Sequence, residues 1–124
     1  GVFDAVVIPG GLQGSKNIAA SPVAGTVIKA MHAQNKVIAA ICAAPAIVLA
    51  PLGILKNKSA ACFPGMEKHF GPDVQFKNGT VVVDGNLITS QAAGTALAFS
   101  LALVEKFAGP EAKAKVSAAT LINL

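Results

Sequence analysis

The sequence predicts an α/β domain built on a mainly parallel sheet with a hairpin insertion. Three observations carry this expectation. Short apolar runs, Asp4–Ile8 and Val37–Ile41, alternate with helix-like stretches through the first half, as strands and crossover helices do in parallel sheets. Hydrophobic residues make up 53% of the 124 and charged residues 13%, which suits a buried core rather than a disordered chain. Both apolar runs stop abruptly, the first on Pro9-Gly10-Gly11 and the second on Cys42.

The elements follow in order. Asp4–Ile8 reads as a short buried strand, central in the sheet. Leu12–Ala20 is a loop or a short helix. Ser21-Pro22 starts a helix, with Ser as N-cap and Pro at the first helical position. Val23, Val27, Ala30 and Met31 form its apolar face, and Asn35 ends it in the left-handed conformation. His32 falls on this helix and reads as a partly exposed residue with no chemistry. Val37–Ile41 is the next strand, and a helix over Ala43–Ala50 tolerates Pro45 in its first turn. Pro51–Lys58 is a turn, Ser59–Phe63 a strand stopped by Pro64-Gly65, and Met66–Pro72 irregular. Val74–Lys77 and Thr80–Val83 flank Asn78-Gly79, the signal for a type I′ hairpin. Asp84-Gly85 is another turn and Leu87–Ser90 another strand. Thr95–Phe107 is a helix with Leu97, Leu101 and Val104 as core positions. Ala108-Gly109-Pro110 breaks it, and Glu111–Ala119 forms a last short helix.

The segment Ala40-Ile41-Cys42-Ala43-Ala44-Pro45 has the layout of a nucleophile elbow. Such a nucleophile sits on a tight strand-to-helix turn, and the residues two before and two after it must be small. Those positions are Ala40 and Ala44. The helix that follows turns its free N–H groups toward the sulfur, which favours thiolate. A buried structural cysteine fits the same residues equally well on spacing alone. Gly10-Gly11 directly after a parallel strand can expose backbone N–H groups to an anion, although a plain βα turn would use the same residues.

Composition narrows the function. The net charge of +4 comes from scattered lysines without interleaved aromatics, so a nucleic-acid surface is not indicated. The uncharged stretch between Lys36 and Lys56 has the length of a membrane span, but Pro45, Pro51 and Gly53 interrupt it. No leader pattern is visible, and the two cysteines read as reduced thiols. A cytoplasmic protein is therefore expected. Cys42, Cys62, His32 and His69 lack zinc-ligand spacing, so neither a metal nor a cofactor is expected.

With these residues in view, the chain resembles the DJ-1/ThiJ/PfpI family. The matching pieces are Val7-Ile8-Pro9-Gly10-Gly11 with Gly14, Ala39-Ala40-Ile41-Cys42-Ala43-Ala44-Pro45, and Ile88-Thr89-Ser90-Gln91-Ala92-Ala93-Gly94-Thr95. Phe63-Pro64 adds to the likeness with its DJ-1-like bacterial members. The resemblance implies a flavodoxin-like three-layer sandwich, a homodimer, and Cys42 as the catalytic, oxidisable cysteine. It implies that the amides of Gly11 and Ala43 face the sulfur or a bound oxyanion, with Gly10, Phe63 and Pro64 lining the pocket. The family's N-terminal strand–helix–strand segment, with an acidic partner for the cysteine, is not in this sequence. Residues 1–124 are accordingly expected to be the C-terminal major part of a single domain, partnered by that N-terminal segment. Phe63 and Ala43 stand where triad-bearing members carry histidine, so no protease triad is expected, and His69 has no assigned role. Ala92-Ala93 replace the Gly-Pro usual in close relatives.

Three functions follow from these expectations. One is a cysteine-dependent, cofactor-independent glyoxalase or protein deglycase acting on small reactive carbonyls. The second is a redox sensor or chaperone switched by oxidation of Cys42. The third is a catalytically silent domain, whose Cys42 would be no more reactive than Cys62.

Overall fold

A computed structural model describes residues 2–122; of the span read as one domain, Gly1 and residues 123–124 lie outside the described residues. The chain runs β1 (Ala5–Ile8), α1 (Leu12–Ala19), α2 (Pro22–Ala33), β2 (Val37–Ile41), β3 (Ser59–Ala60), β4 (Gln75–Phe76), β5 (Val81–Asp84), β6 (Leu87–Ser90) and α3 (Ala96–Ala119). A four-stranded sheet has the order β1-β2-β6-β5. β1, β2 and β6 are parallel, and β5 joins β6 antiparallel. The α/β class and the mainly parallel sheet are as the sequence predicts.

β2 explains why the fold needs three layers. All five of its residues are buried, and successive side chains point to opposite faces. Ile38 and Ala40 join one core with Ile8, Ile28, Met31, Val48 and Leu49. Val37, Ala39 and Ile41 join the other with Ile88 and Phe99. A strand apolar on both faces requires cover on both. Residues of α2 and of the turn after β2 cover the first face, and those of α3 cover the second.

Ser21 caps α2 by accepting from Ala24 N at 3.2 Å, Pro22 takes the first helical position, and Asn35 turns the chain at φ 58. Of the expected face of this helix only Met31 is buried. Val23 and Val27 are exposed, and Ile28 and Met31 carry the contact. In α3, Leu101 and Phe99 are buried while Leu97 is exposed. Gly109, at φ 90 and ψ 171, kinks the chain before Pro110, and helix continues on both sides.

The hairpin is also displaced. Neither Asn78 nor Gly79 has the positive φ that a type I′ turn requires. β4 instead pairs parallel with β3, and the two-residue loop Gly85-Asn86 joins β5 to β6. Gly85 opens that loop at φ 61, a conformation that costs glycine little. The Asp84 carboxylate accepts from Ser59 N at 2.8 Å and lies 3.9 Å from Lys58 Nζ, tying this hairpin to β3. The strand expected over Ser59–Phe63 is only Ser59–Ala60, because Ala61 N donates to the Thr89 side chain at 2.8 Å instead of to a strand.

Among the described residues β1 lies at the edge of the sheet, and Val7 on it is exposed.

Candidate functional site

The three parallel strands end side by side. Their carboxyl ends carry Gly10, Cys42 and Ser90, and the open end of a parallel sheet is where ligands bind in such folds. Cys42 N donates to Ser90 O at 3.0 Å, and Cys42 O accepts from Phe63 N at 2.9 Å. Both backbone groups of the cysteine are therefore fixed by other segments.

Cys42 has φ 65. A non-glycine residue in the left-handed region is strained by about 1 kcal/mol or more, and such strain collects at functional sites. The turn is the one an elbow needs. Ala40 and Ala44, both fully buried, leave room for it. Gly10 leaves room on the other side: a Cβ there would lie 2.7 Å from Cys42 Cβ and 3.0 Å from Ile41 O.

The helix expected over Ala43–Ala50 is instead a π-helical turn, Pro45–Leu49. Pro45 O accepts from Ala50 N, five residues on, at 3.0 Å. The wider turn buries Pro45, Ala46, Val48 and Leu49 together, more of its circumference than one face of an α-helix. Ile47, the remaining residue, faces a groove.

That groove, about 690 Å³, is where Cys42 opens to solvent. Leu12, Ile47, Phe63 and Met66 give it apolar walls, Ala43, Pro64 and Gly65 complete the backbone side, and Lys16, Lys68 and His69 add basic groups. Of the expected pocket residues, Phe63 and Pro64 line it and Gly10 does not; Gly10 packs behind the cysteine. Gly11, at φ 91, starts α1 and accepts from Ser15 N at 2.9 Å through its carbonyl. Phe63 offers no imidazole, yet one is close by: His69, unassigned from sequence, is in the same groove wall. Nothing in its spacing from Cys42 announces this. The 3₁₀ turn Met66–His69 swings it there.

The second cysteine has a different environment. Cys62 is fully buried, and its Sγ lies 3.4 Å from Phe63 O as a hydrogen-bond donor. Burial pushes its thiol from 9.0 up to about 12, with the negative potentials of Glu67 and Cys42 adding to the shift. Among the described residues no group of three His, Cys, Asp or Glu side chains could hold a metal ion, and no helix is long and apolar enough to cross a membrane.

The β6 motif supports the elbow from below. Thr89 accepts from Ala61 N, Ser90 Oγ donates to Thr80 O at 2.6 Å, and Ser90 and Thr95 hydroxyls lie 2.6 Å apart. The residues matched to the family motif thus fix the loops around Cys42.

Comparison with known proteins agrees with this fold. Protein DJ-1 homolog B of Arabidopsis thaliana is 44% identical over 120 residues, covering 97% of this chain and 27% of that protein. Glutathione-independent glyoxalase DJR-1.2 of Caenorhabditis elegans is 35% identical over 109 residues, covering 88% of this chain and 58% of that protein. The structure of oxidized Toxoplasma gondii DJ-1 superposes with a TM-score of 0.94 at 33% identity, covering 99% of this chain and 66% of the other. The chain thus spans only part of the length of the relatives it matches, and its fold is the flavodoxin-like fold of the DJ-1 structures. Residues 1–106 match the DJ-1/PfpI family, and the chain belongs to that family.

Proposed function

We propose that the protein acts in oxidative and carbonyl stress defence through Cys42, as a cofactor-independent glyoxalase or protein deglycase. The observation that carries this is a strained cysteine at φ 65, open to a groove of about 690 Å³ at the end of the parallel strands. A glyoxalase among its relatives supports the reading.

The Cys42 thiolate adds to an aldehyde carbon, forming a C–S bond while the C=O electron pair moves to oxygen. The amides of Gly11 and Ala43 stabilise that oxyanion. A proton then moves from the former aldehyde carbon to the neighbouring carbonyl carbon, giving a thioester of a hydroxy acid. Water cleaves the thioester, releases the hydroxy acid and restores the thiol. The group that moves the proton belongs to the N-terminal segment of the domain, which residues 1–124 do not include. The edge of β1, unpaired among the described residues, supports pairing with that segment. The assembled protein is a homodimer in the cytoplasm, a compartment that suits its two free thiols.

Steady-state turnover of glyoxal by wild type and Cys42→Ser tests the reading. Turnover that disappears in the variant is expected; equal turnover in both would overturn it.

A redox-sensor reading rests on the contrast between the two thiols. Cys42 is open and Cys62 sealed, so oxidant reaches one sulfur selectively. Absence of glyoxal turnover together with peroxide-dependent change in dimer stability would favour this reading.

A further inference from the structure

The groove wall carries more positive charge than a neutral dicarbonyl needs. Lys16 projects from the last turn of α1, and Lys68 and His69 come from the 3₁₀ turn Met66–His69. No acidic side chain lines the groove among the described residues. The nearest in sequence, Glu67, is engaged at the rim, its carboxylate accepting from Gly65 N at 2.6 Å. The ion pairs of the described residues join Lys58 with Asp84, Lys113 with Glu105 and Lys115 with Glu111, so both groove lysines are without a carboxylate partner among them.

We propose that Lys16 and Lys68 select substrates of Cys42 that carry an anionic group, a carboxylate or a phosphate, a short carbon chain away from the reacting carbonyl. This rests on reading Cys42 as the nucleophile of the groove. The apolar walls from Leu12, Ile47, Phe63 and Met66 take the carbon chain. The lysine stems lie along such walls while their ammonium groups stay hydrated. An ammonium in a partly closed cleft raises the local concentration of anions. Two of them at one mouth give a selection that salt weakens. Glyoxal, which is neutral, would use the nucleophile but not this part of the site.

Two alkylating probes of nearly equal size separate charge from reactivity. Iodoacetate and iodoacetamide each form an S–C bond at Cys42 Sγ while the C–I bond breaks and iodide leaves with the electron pair. The measurement is the ratio of their rates at Cys42, read by peptide mapping of the folded, full-length protein, with free cysteine as reference. The ratio is expected to exceed the reference about fivefold at low salt and to approach it as salt is raised. Lys16→Gln with Lys68→Gln should bring it to the reference at low salt. A wild-type ratio equal to that of free cysteine, or one insensitive to salt, overturns the proposal without needing any variant. As competitors, protection by inorganic phosphate marks a phosphate-bearing substrate and protection by acetate alone a carboxylate-bearing one; protection by neither counts against the proposal. Alkylation needs no turnover, so an ordinary ratio beside normal glyoxal turnover rejects the selectivity alone. A raised ratio without glyoxal turnover rejects the glyoxalase reading alone.

Discussion

Gly10 and Cys42 sit so close that position 10 has no room for a side chain: a Cβ there would fall 2.7 Å from Cys42 Cβ. The obstruction involves backbone as well, since Ile41 O would lie 3.0 Å away. Neither neighbour is the free end of a flexible side chain. Gly10→Ala should therefore displace the elbow. A loss of about 1–3 kcal/mol is expected, in the range of overpacking a tight site. A denaturant titration measures the loss, and iodoacetamide modification of Cys42 should change rate in the same variant. An unaltered midpoint and an unaltered rate would show that the elbow has slack.

Peroxide should distinguish the two cysteines. The Cys62 thiol is buried and pushed up to about 12, so it holds almost no thiolate at neutral pH. Cys42 should appear as sulfenate or sulfinate in peptide maps before any oxidation of Cys62. Early oxidation of Cys62 in folded protein would contradict this.

The same shift gives a pH dependence. The folded state holds the Cys62 proton more tightly than the unfolded chain does, so its contribution to stability is complete below pH 9.0. It is lost between 9.0 and about 12, as the unfolded thiol ionises first. The stability difference between wild type and Cys62→Ala should therefore move in favour of the variant as pH rises through that interval. The difference cancels the lysine titrations common to both. A pH-independent difference in paired unfolding curves would show that Cys62 ionises alike in both states.

Thr89 and Ser15 should respond in opposite directions to loss of a hydroxyl. Thr89 Oγ1 accepts the buried Ala61 amide at 2.8 Å. Thr89→Val keeps the shape and strands that amide, for an expected loss of about 1–3 kcal/mol. Ser15 Oγ is buried without a partner among the described residues. Ser15→Ala removes a desolvated hydroxyl and should leave stability unchanged or raise it by up to about 1 kcal/mol. Thermal unfolding of both variants checks the pair of signs.

The legible parts of this site were those encoded in consecutive residues. An apolar run ending in cysteine between small residues is compatible with an elbow, because small neighbours leave room for that turn. The same holds for Ser21-Pro22 at the start of α2 and Asn35 at its end. Less local features are not encoded this way. On the alanine-rich α2, Val23 and Val27 look like core residues, but Ile28 and Met31 carry the contact because the sheet lies on their side. Asn78-Gly79 and Asp84-Gly85 are both turn signals, and only long-range pairing of β4 with β3 selects the second for the hairpin. The basic wall of the groove left no trace in the sequence, since Lys16, Lys68 and His69 come from separate elements with ordinary spacing.

The backbone of Cys42 has one more consequence. At φ 65, glycine would occupy position 42 with less torsional penalty than cysteine does. Cys42→Gly should then relieve the backbone while giving up the packing of this side chain on the Ile41–Ile88–Phe99 core, so the sulfur's chemistry can be removed at little net cost to the fold.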